Sequence, residues 1–214
     1  MSTSIVRLSS IPTLAQLALK PAVKPKFPPN SGLLKKVSLL QGDITKVEVD
    51  GIVNAANKSL LGGGGVDGAI HRAAGPQLLE ECETLNGAST GESKMTLGYN
   101  LPSKHVIHTV GPIYPGDDSE AHLLASCYKS SLHLALKHNL RSIAFPSVST
   151  GIYGYPIVDA THIALNVVRT FLDENDFDRV VFVVFSDKDK DVFESLLPEY
   201  FPSNGSTPPP PYQS

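Results

Sequence analysis

The residues of this chain best equipped for chemistry lie between positions 54 and 75, in Asn-Ala-Ala-Asn-Lys-Ser-Leu-Leu-Gly-Gly-Gly-Gly-Val-Asp-Gly-Ala-Ile-His-Arg-Ala-Ala-Gly. Four consecutive glycines, Gly62, Gly63, Gly64 and Gly65, reach positive φ freely and let a ligand approach bare backbone. Before them, Gly51-Ile52-Val53 reads as the end of a short buried strand. After them, Val66, Ile70, Ala73 and Ala74 fall at helical spacing. Backbone N–H groups at such a strand-to-helix turn, beside the positive end of the helix dipole, make a seat for phosphate. Two polar side chains border that seat. Asn57 offers an amide that donates and accepts, as a sugar hydroxyl requires, and Asp67 offers a carboxylate suited to activating water. Familiar nucleotide motifs are absent: no Gly-Lys-Ser/Thr closes a P-loop, and the glycines do not follow Gly-x-Gly-x-x-Gly.

A second loop repeats the logic. Ser147-Val148-Ser149-Thr150-Gly151-Ile152-Tyr153-Gly154-Tyr155-Pro156 follows a strand read at 142–146 and precedes a helix at 158–172. Two such loops can hold a diphosphate from both sides. Asp43, in Gly42-Asp43-Ile44-Thr45, has two readings. Its carboxylate suits an exocyclic amine, and the same residue before Ile-Thr suits a helix cap or Asx-turn.

The elements that must carry these loops alternate. Strands are expected at 37–41, 94–98, 105–109, 142–146 and 180–185. Helices are expected from Val66 through Cys82, at 120–139 with Leu124, Cys127, Tyr128, Ser131, Leu134 and Ala135 on one face, at 158–172, and at 189–197. That alternation with short loops predicts an α/β domain with a mostly parallel sheet between helical layers. Ligands of such sheets bind at the carboxyl ends of the strands, where both glycine loops emerge. His105 and His108, three apart on a strand, point to opposite faces, which argues against a shared metal. Both read as structural, and so does His71, although its place one helical turn after Asp67 would also let it orient that carboxylate.

Composition narrows the class. At 214 residues, 41% hydrophobic and 18% charged, the chain suits one compact domain with extensions at its ends. Its net charge of −3 excludes a general nucleic-acid binder. No apolar run approaches the ~18 residues of a membrane span. Cys82 and Cys127 show no paired spacing, so a reducing compartment is expected, cytoplasmic or nuclear. No acidic residue precedes Asp43, whereas Arg7, Lys20, Lys24, Lys26, Lys35 and Lys36 do. Residues 1–32 therefore read either as a mitochondrial targeting segment or as an arm with a short helix over 11–19 docked on the domain. The single arginine among the first 32 residues favours the arm. The domain proper is expected over 33–202, as a monomer. Residues 203–214 read as a Pro-rich tail, in which Pro209-Pro210-Pro211-Tyr212 matches a short WW-domain ligand.

The stretch 54–75 resembles the signature of the macrodomain family, specifically its MacroD-type branch of ADP-ribosyl-hydrolases. The likeness extends to Gly42-Asp43-Ile44-Thr45, to 97–112 and to the loop at 147–156, and covers about 37–197. It implies a three-layer α/β/α sandwich around a mixed, mostly parallel sheet. The implied ligand is ADP-ribose, and the implied partners are proteins that carry it. Asp43 and the N–H of Ile44 would contact adenine, with Phe185 stacked on it; the other reading of Phe185 is core packing. Gly62, Gly63, Gly64, Gly65 and Val66 would clamp the diphosphate from one side, and Ser147, Ser149, Thr150, Gly151 and Ile152 from the other. Tyr153 would pack against the distal ribose, and Asn57 would hydrogen-bond to it.

In MacroD-type relatives the reaction is removal of mono-ADP-ribose from acidic side chains and deacetylation of O-acetyl-ADP-ribose. Asp67 would act on the attacking water, as general base or as the group that positions it. A non-catalytic ADP-ribose reader and an ADP-ribose 1″-phosphate phosphatase are the alternatives. The presence of both Asn57 and Asp67 favours the hydrolase. The acidic loop of poly(ADP-ribose) glycohydrolases is not seen. The zinc-dependent branch places ligands after its first helix, where Asn86-Gly87-Ala88-Ser89-Thr90 offers none, so neither metal nor cofactor is expected.

Overall fold

A computed structural model describes residues 4–22 and 24–203; the Pro-Pro-Pro-Tyr segment at 209–212 lies outside them. The chain enters through β1 (Val6–Arg7), which pairs in parallel with β3 (Val47–Glu48). The helix expected over 11–19 does not form. The 3₁₀ turn Leu14–Gln16 stands in its place, after another at Leu8–Ser10. Thr13 between them bridges antiparallel to Ser38, which holds its backbone extended, and a helix of nine residues has little stability of its own to resist that. Ile11 and Leu14 are buried. Further along, the Lys26 N–H bonds the Glu199 carbonyl at 2.7 Å, and Phe27 lies under the buried guanidinium of Arg169 at 4.7 Å. The arm then ends in the one-turn helix α1 (Ser31–Leu34), capped by Asn30.

The central sheet comprises β2 (Val37–Gln41), β4 (Gly51–Ala56), β5 (Ser93–Leu97), β6 (His105–Val110), β7 (Ser142–Phe145) and β8 (Arg179–Val184). Their order is β2-β8-β7-β4-β6-β5, and every neighbour is parallel except β5 against β6. Helices α2 (Gly65–Ala74) and α3 (Pro76–Thr84) cover one face; α4 (Ala121–Lys137), α5 (Ile157–Glu174) and α6 (Asp187–Tyr200) cover the other. Alternation along β8 shows the sandwich: Val180, Phe182 and Val184 pack toward α4–α6, while Val181 and Val183 pack toward α2 and α3. A strand covered on both faces needs such an unbroken apolar run. The fold is a three-layer α/β/α sandwich.

Most boundaries fall within two residues of the sequence expectation, and three differences bear on the site. The helix expected from Val66 through Cys82 is two helices, because Gly75 at φ +88° turns the chain and Pro76 starts α3 at its first position. Strand β4 continues to Ala56, carrying Asn54 into the core. Helix α6 starts at Asp187, two residues early, with the Ser186 hydroxyl accepting the Asp189 N–H at 3.1 Å. After β4 the chain leaves toward α2, and after β7 it leaves toward α5 on the opposite face. These two strands are neighbours, so a crevice opens between their carboxyl ends.

Candidate functional site

That crevice is a cleft of about 740 Å³. Its walls follow the carboxyl ends of five strands: Asp43 after β2, Asn57 after β4, Gly111 after β6, Ser147 after β7 and Phe185 after β8. Of the residues singled out in the sequence, Ile44, Gly63, Gly64, Gly65, Val66, Asp67, Ser149, Thr150, Gly151, Ile152 and Tyr153 also reach it. Gly62 does not line it; its carbonyl instead accepts from the Asn57 amide nitrogen at 2.9 Å.

Asn57 thus shapes the loop as well as bordering the cleft. Its Oδ1 accepts from the Ser59 N–H at 3.0 Å and the Ser59 hydroxyl at 2.6 Å, an Asx-turn that starts the loop. Gly65, at φ +59°, then swings the chain into α2. Helix α2 lies so close under the loop that a Cβ on Gly68 would fall 2.4 Å from the Gly63 carbonyl oxygen. This contact brings Asp67, in the first turn of α2, up to the cleft floor.

Asp67 is 4% exposed. Its Oδ1 accepts from Asn54 Nδ2 at 2.7 Å. His71 Nε2 stands 3.5 Å from the same oxygen, too long for a good hydrogen bond, so the main orienting contact comes from Asn54. Burial raises the Asp67 pKa above the ordinary carboxylate value, opposed by the Asn54 donor and the nearby imidazole. A Cβ built on Gly63 would lie 3.1 Å from Asp67 Oδ2 and 3.3 Å from Asn57 Nδ2. One carboxylate oxygen and one amide nitrogen therefore flank the same small space.

The second loop supplies the opposite wall. Ser149 adopts φ +65°, and its hydroxyl and that of Ser147 are buried with no partner among the described residues. Buried hydroxyls without partners beside a cleft fit an anionic or hydroxylated ligand. The Tyr114 N–H donates to the Tyr153 carbonyl at 2.8 Å and pins the loop. Ile152 is 88% exposed and reaches across to the glycine loop, 3.6 Å from where a Gly64 Cβ would be. At the far end, Asp43 acts as a cap and still has an oxygen to spare. Its Oδ1 caps the Ile44–Lys46 turn through Thr45 N–H at 2.9 Å and the Thr45 hydroxyl at 2.7 Å, while Oδ2 has no partner among the described residues. Phe185 is 85% exposed at the cleft mouth, so it is not a core residue.

Sequence reasoning gave no site role to Asn54 or Asp189, and it took His108 as structural. Asn54 and His108 are fully buried behind Asp67, and Asp189 lines the cleft from α6. The signal for Asn54 was an amide in the middle of an apolar run, which must find partners inside.

Residues 53–164 match the Macro domain family model. The chain is 53% identical over 204 residues to the Bos taurus protein named ADP-ribose glycohydrolase MACROD1, covering 92% of this chain and 63% of that one. This chain thus spans less than two thirds of that relative. It is 59% identical over 163 residues to the Chlorobaculum tepidum Macro domain-containing protein CT2219, covering 75% of this chain and 95% of that one. Among solved structures, the Trypanosoma brucei macrodomain in complex with ADP-ribose superposes with a TM-score of 0.80 at 43% identity, covering 90% of this chain and 77% of that one.

Proposed function

The chain belongs to the macrodomain family, and on that premise we propose that it binds ADP-ribose and hydrolyses it from acidic protein side chains, with O-acetyl-ADP-ribose as a second substrate. Support comes from the names of its relatives, from the ADP-ribose held by the Trypanosoma brucei domain, and from the cleft. Asp43 Oδ2 accepts from the adenine amine, the Ile44 N–H contacts the base, and Phe185 stacks on it. The glycine loop and Ser147, Ser149, Thr150, Gly151 and Ile152 seat the diphosphate. Tyr153 packs against the distal ribose, and the second Asn57 amide hydrogen reaches it.

The observation that carries the hydrolytic reading is the pair at Gly63: Asp67 Oδ2 and Asn57 Nδ2 face one space, 3.1 and 3.3 Å from a Cβ built there. With Oδ1 taken by Asn54, Oδ2 is the oxygen left to hold a water against the ribose. The test is release of ADP-ribose from a glutamate-linked mono-ADP-ribosylated protein, beside calorimetry with free ADP-ribose. Release by the wild type, lost in Asp67→Ala while binding persists, is the expected outcome. Binding by the wild type without release overturns the hydrolase and leaves a reader.

A further inference from the structure

Behind Asp67 the polar chain runs on into the core. Asn54, on β4 and fully buried, places Nδ2 2.7 Å from Asp67 Oδ1 and 3.1 Å from His108 Nδ1 on β6. Because one atom makes both contacts, the ionised carboxylate decides which way the amide faces. Turned over, Oδ1 would oppose a charged oxygen at 2.7 Å. With the amide donating both ways, His108 Nδ1 is the acceptor, and a neutral ring then carries its proton on Nε2. That proton faces Thr96 Oγ1 on β5 at 3.0 Å, with Cys82 Sγ of α3 at 3.6 Å. Burial and the neighbouring His71 hold the His108 pKa down to about 3, so the ring stays neutral. Burial pushes the Cys82 thiol up to about 12, so it keeps its proton.

We propose that His108 is a positioning residue for Asp67: its bare Nδ1 locks the Asn54 amide in the orientation that donates to Asp67 Oδ1 and leaves Oδ2 to the cleft. The effect on rate rests on the reading of Asp67 given above; the hydrogen-bond order does not. His71, Cys82 and His108 bring their ligand atoms within 4.8 Å of one another, a donor set familiar from soft-metal sites. The tautomer argues against that use. A protonated Nε2 has no lone pair to give, and moving its proton to Nδ1 would turn Asn54 against the carboxylate.

The groups facing Asp67 are His71 from its own helix, Asn54 from β4 and Asn57 from the loop, with His108 and Cys82 behind. Without the His108 acceptor the amide is held from one side only, and the donor that favours the charged form of Asp67 is less firmly placed. The Asp67 pKa then rises, so the acidic limb of the rate profile moves to higher pH.

The first experiment is a long-range ¹H–¹⁵N correlation on the full chain labelled with ¹⁵N-histidine at neutral pH. An Nε2–H tautomer for His108 is expected; an Nδ1–H tautomer or an imidazolium overturns the proposal, whether or not the protein proves to be a hydrolase. The second is kinetic. His108→Phe is expected to lower kcat about 10²-fold, shift the acidic limb upward and leave ADP-ribose affinity unchanged. His108→Asn, whose amide oxygen can stand where Nδ1 does, should recover both the rate and the limb. A folded His108→Phe with the wild-type kcat and limb overturns the proposal. A wild type that releases nothing defeats the hydrolase reading instead, and the tautomer still decides this one.

Discussion

A single buried carboxylate, Asp67, lines the floor of this site, and its surroundings are poor for a charge. Burial raises the Asp67 pKa, and the Asn54 donor opposes that without reversing it. An acid whose pKa is higher in the folded state contributes stability below its unfolded pKa of about 3.9, and that contribution is lost as pH rises through the folded value. At neutral pH the ionised Asp67 is therefore a cost to the fold. Asp67→Asn is expected to be inactive and more stable than wild type, by about 0.5–2 kcal/mol, with the gap closing in acid; thermal melts across pH measure this. At this scale the sequence was informative where a residue type has few other uses, as with Asp67 and Asn57 beside a glycine run. It was ambiguous where one atom serves two ends. Asp43 reads as a cap or as a ligand contact because one oxygen does the first, leaving the other for the second. It gave Asn54 no role and took His108 as structural, since which polar atoms meet inside depends on how β4 and β6 are registered, Asn54 against His108.

The elements themselves were readable from periodicity, because strands buried on both faces and amphipathic helices leave strong patterns. The misreadings have local causes. Gly75 and Pro76 split one apparent helix into α2 and α3, and a bridge from Thr13 to Ser38 left a 3₁₀ turn where the arm helix was expected. The fit of α2 beneath the glycine loop was not readable, since it depends on a distance between two segments. It yields a firm expectation. Gly68→Ala places a methyl 2.4 Å from the Gly63 carbonyl oxygen, so the helix and loop must part. A loss of about 1–3 kcal/mol in chemical denaturation is expected, together with weaker ADP-ribose binding, because the loop proposed to seat the diphosphate moves with it.

Seen whole, the molecule divides its labour between two ends of one sheet. At the amino ends of the strands, Asp50 ties β4, β6 and β7 together: Oδ1 takes Lys104 Nζ at 2.7 Å, and Oδ2 takes the N–H groups of Arg141 and Ser142 at 2.9 and 3.0 Å. At the carboxyl ends the same strands part around the cleft, so the tightened end frees the other for loops. This division follows from topology, which alternation of strands and helices foretold, although the strand order was not legible in composition or period. The sheet is also uneven across its width. β5 is one of its two edge strands and its antiparallel one, pairing with β6 alone, and it is from β5 that Thr96 reaches the buried imidazole. Edge strands open at lower free energy than the strands between them. The arrangement at Asp67 thus inherits the lifetime of an edge strand. On warming, activity should fade below the temperature at which the molecule melts, in step with amide exchange along Ser93–Leu97. If activity and the global melt instead coincide, β5 does not open on its own.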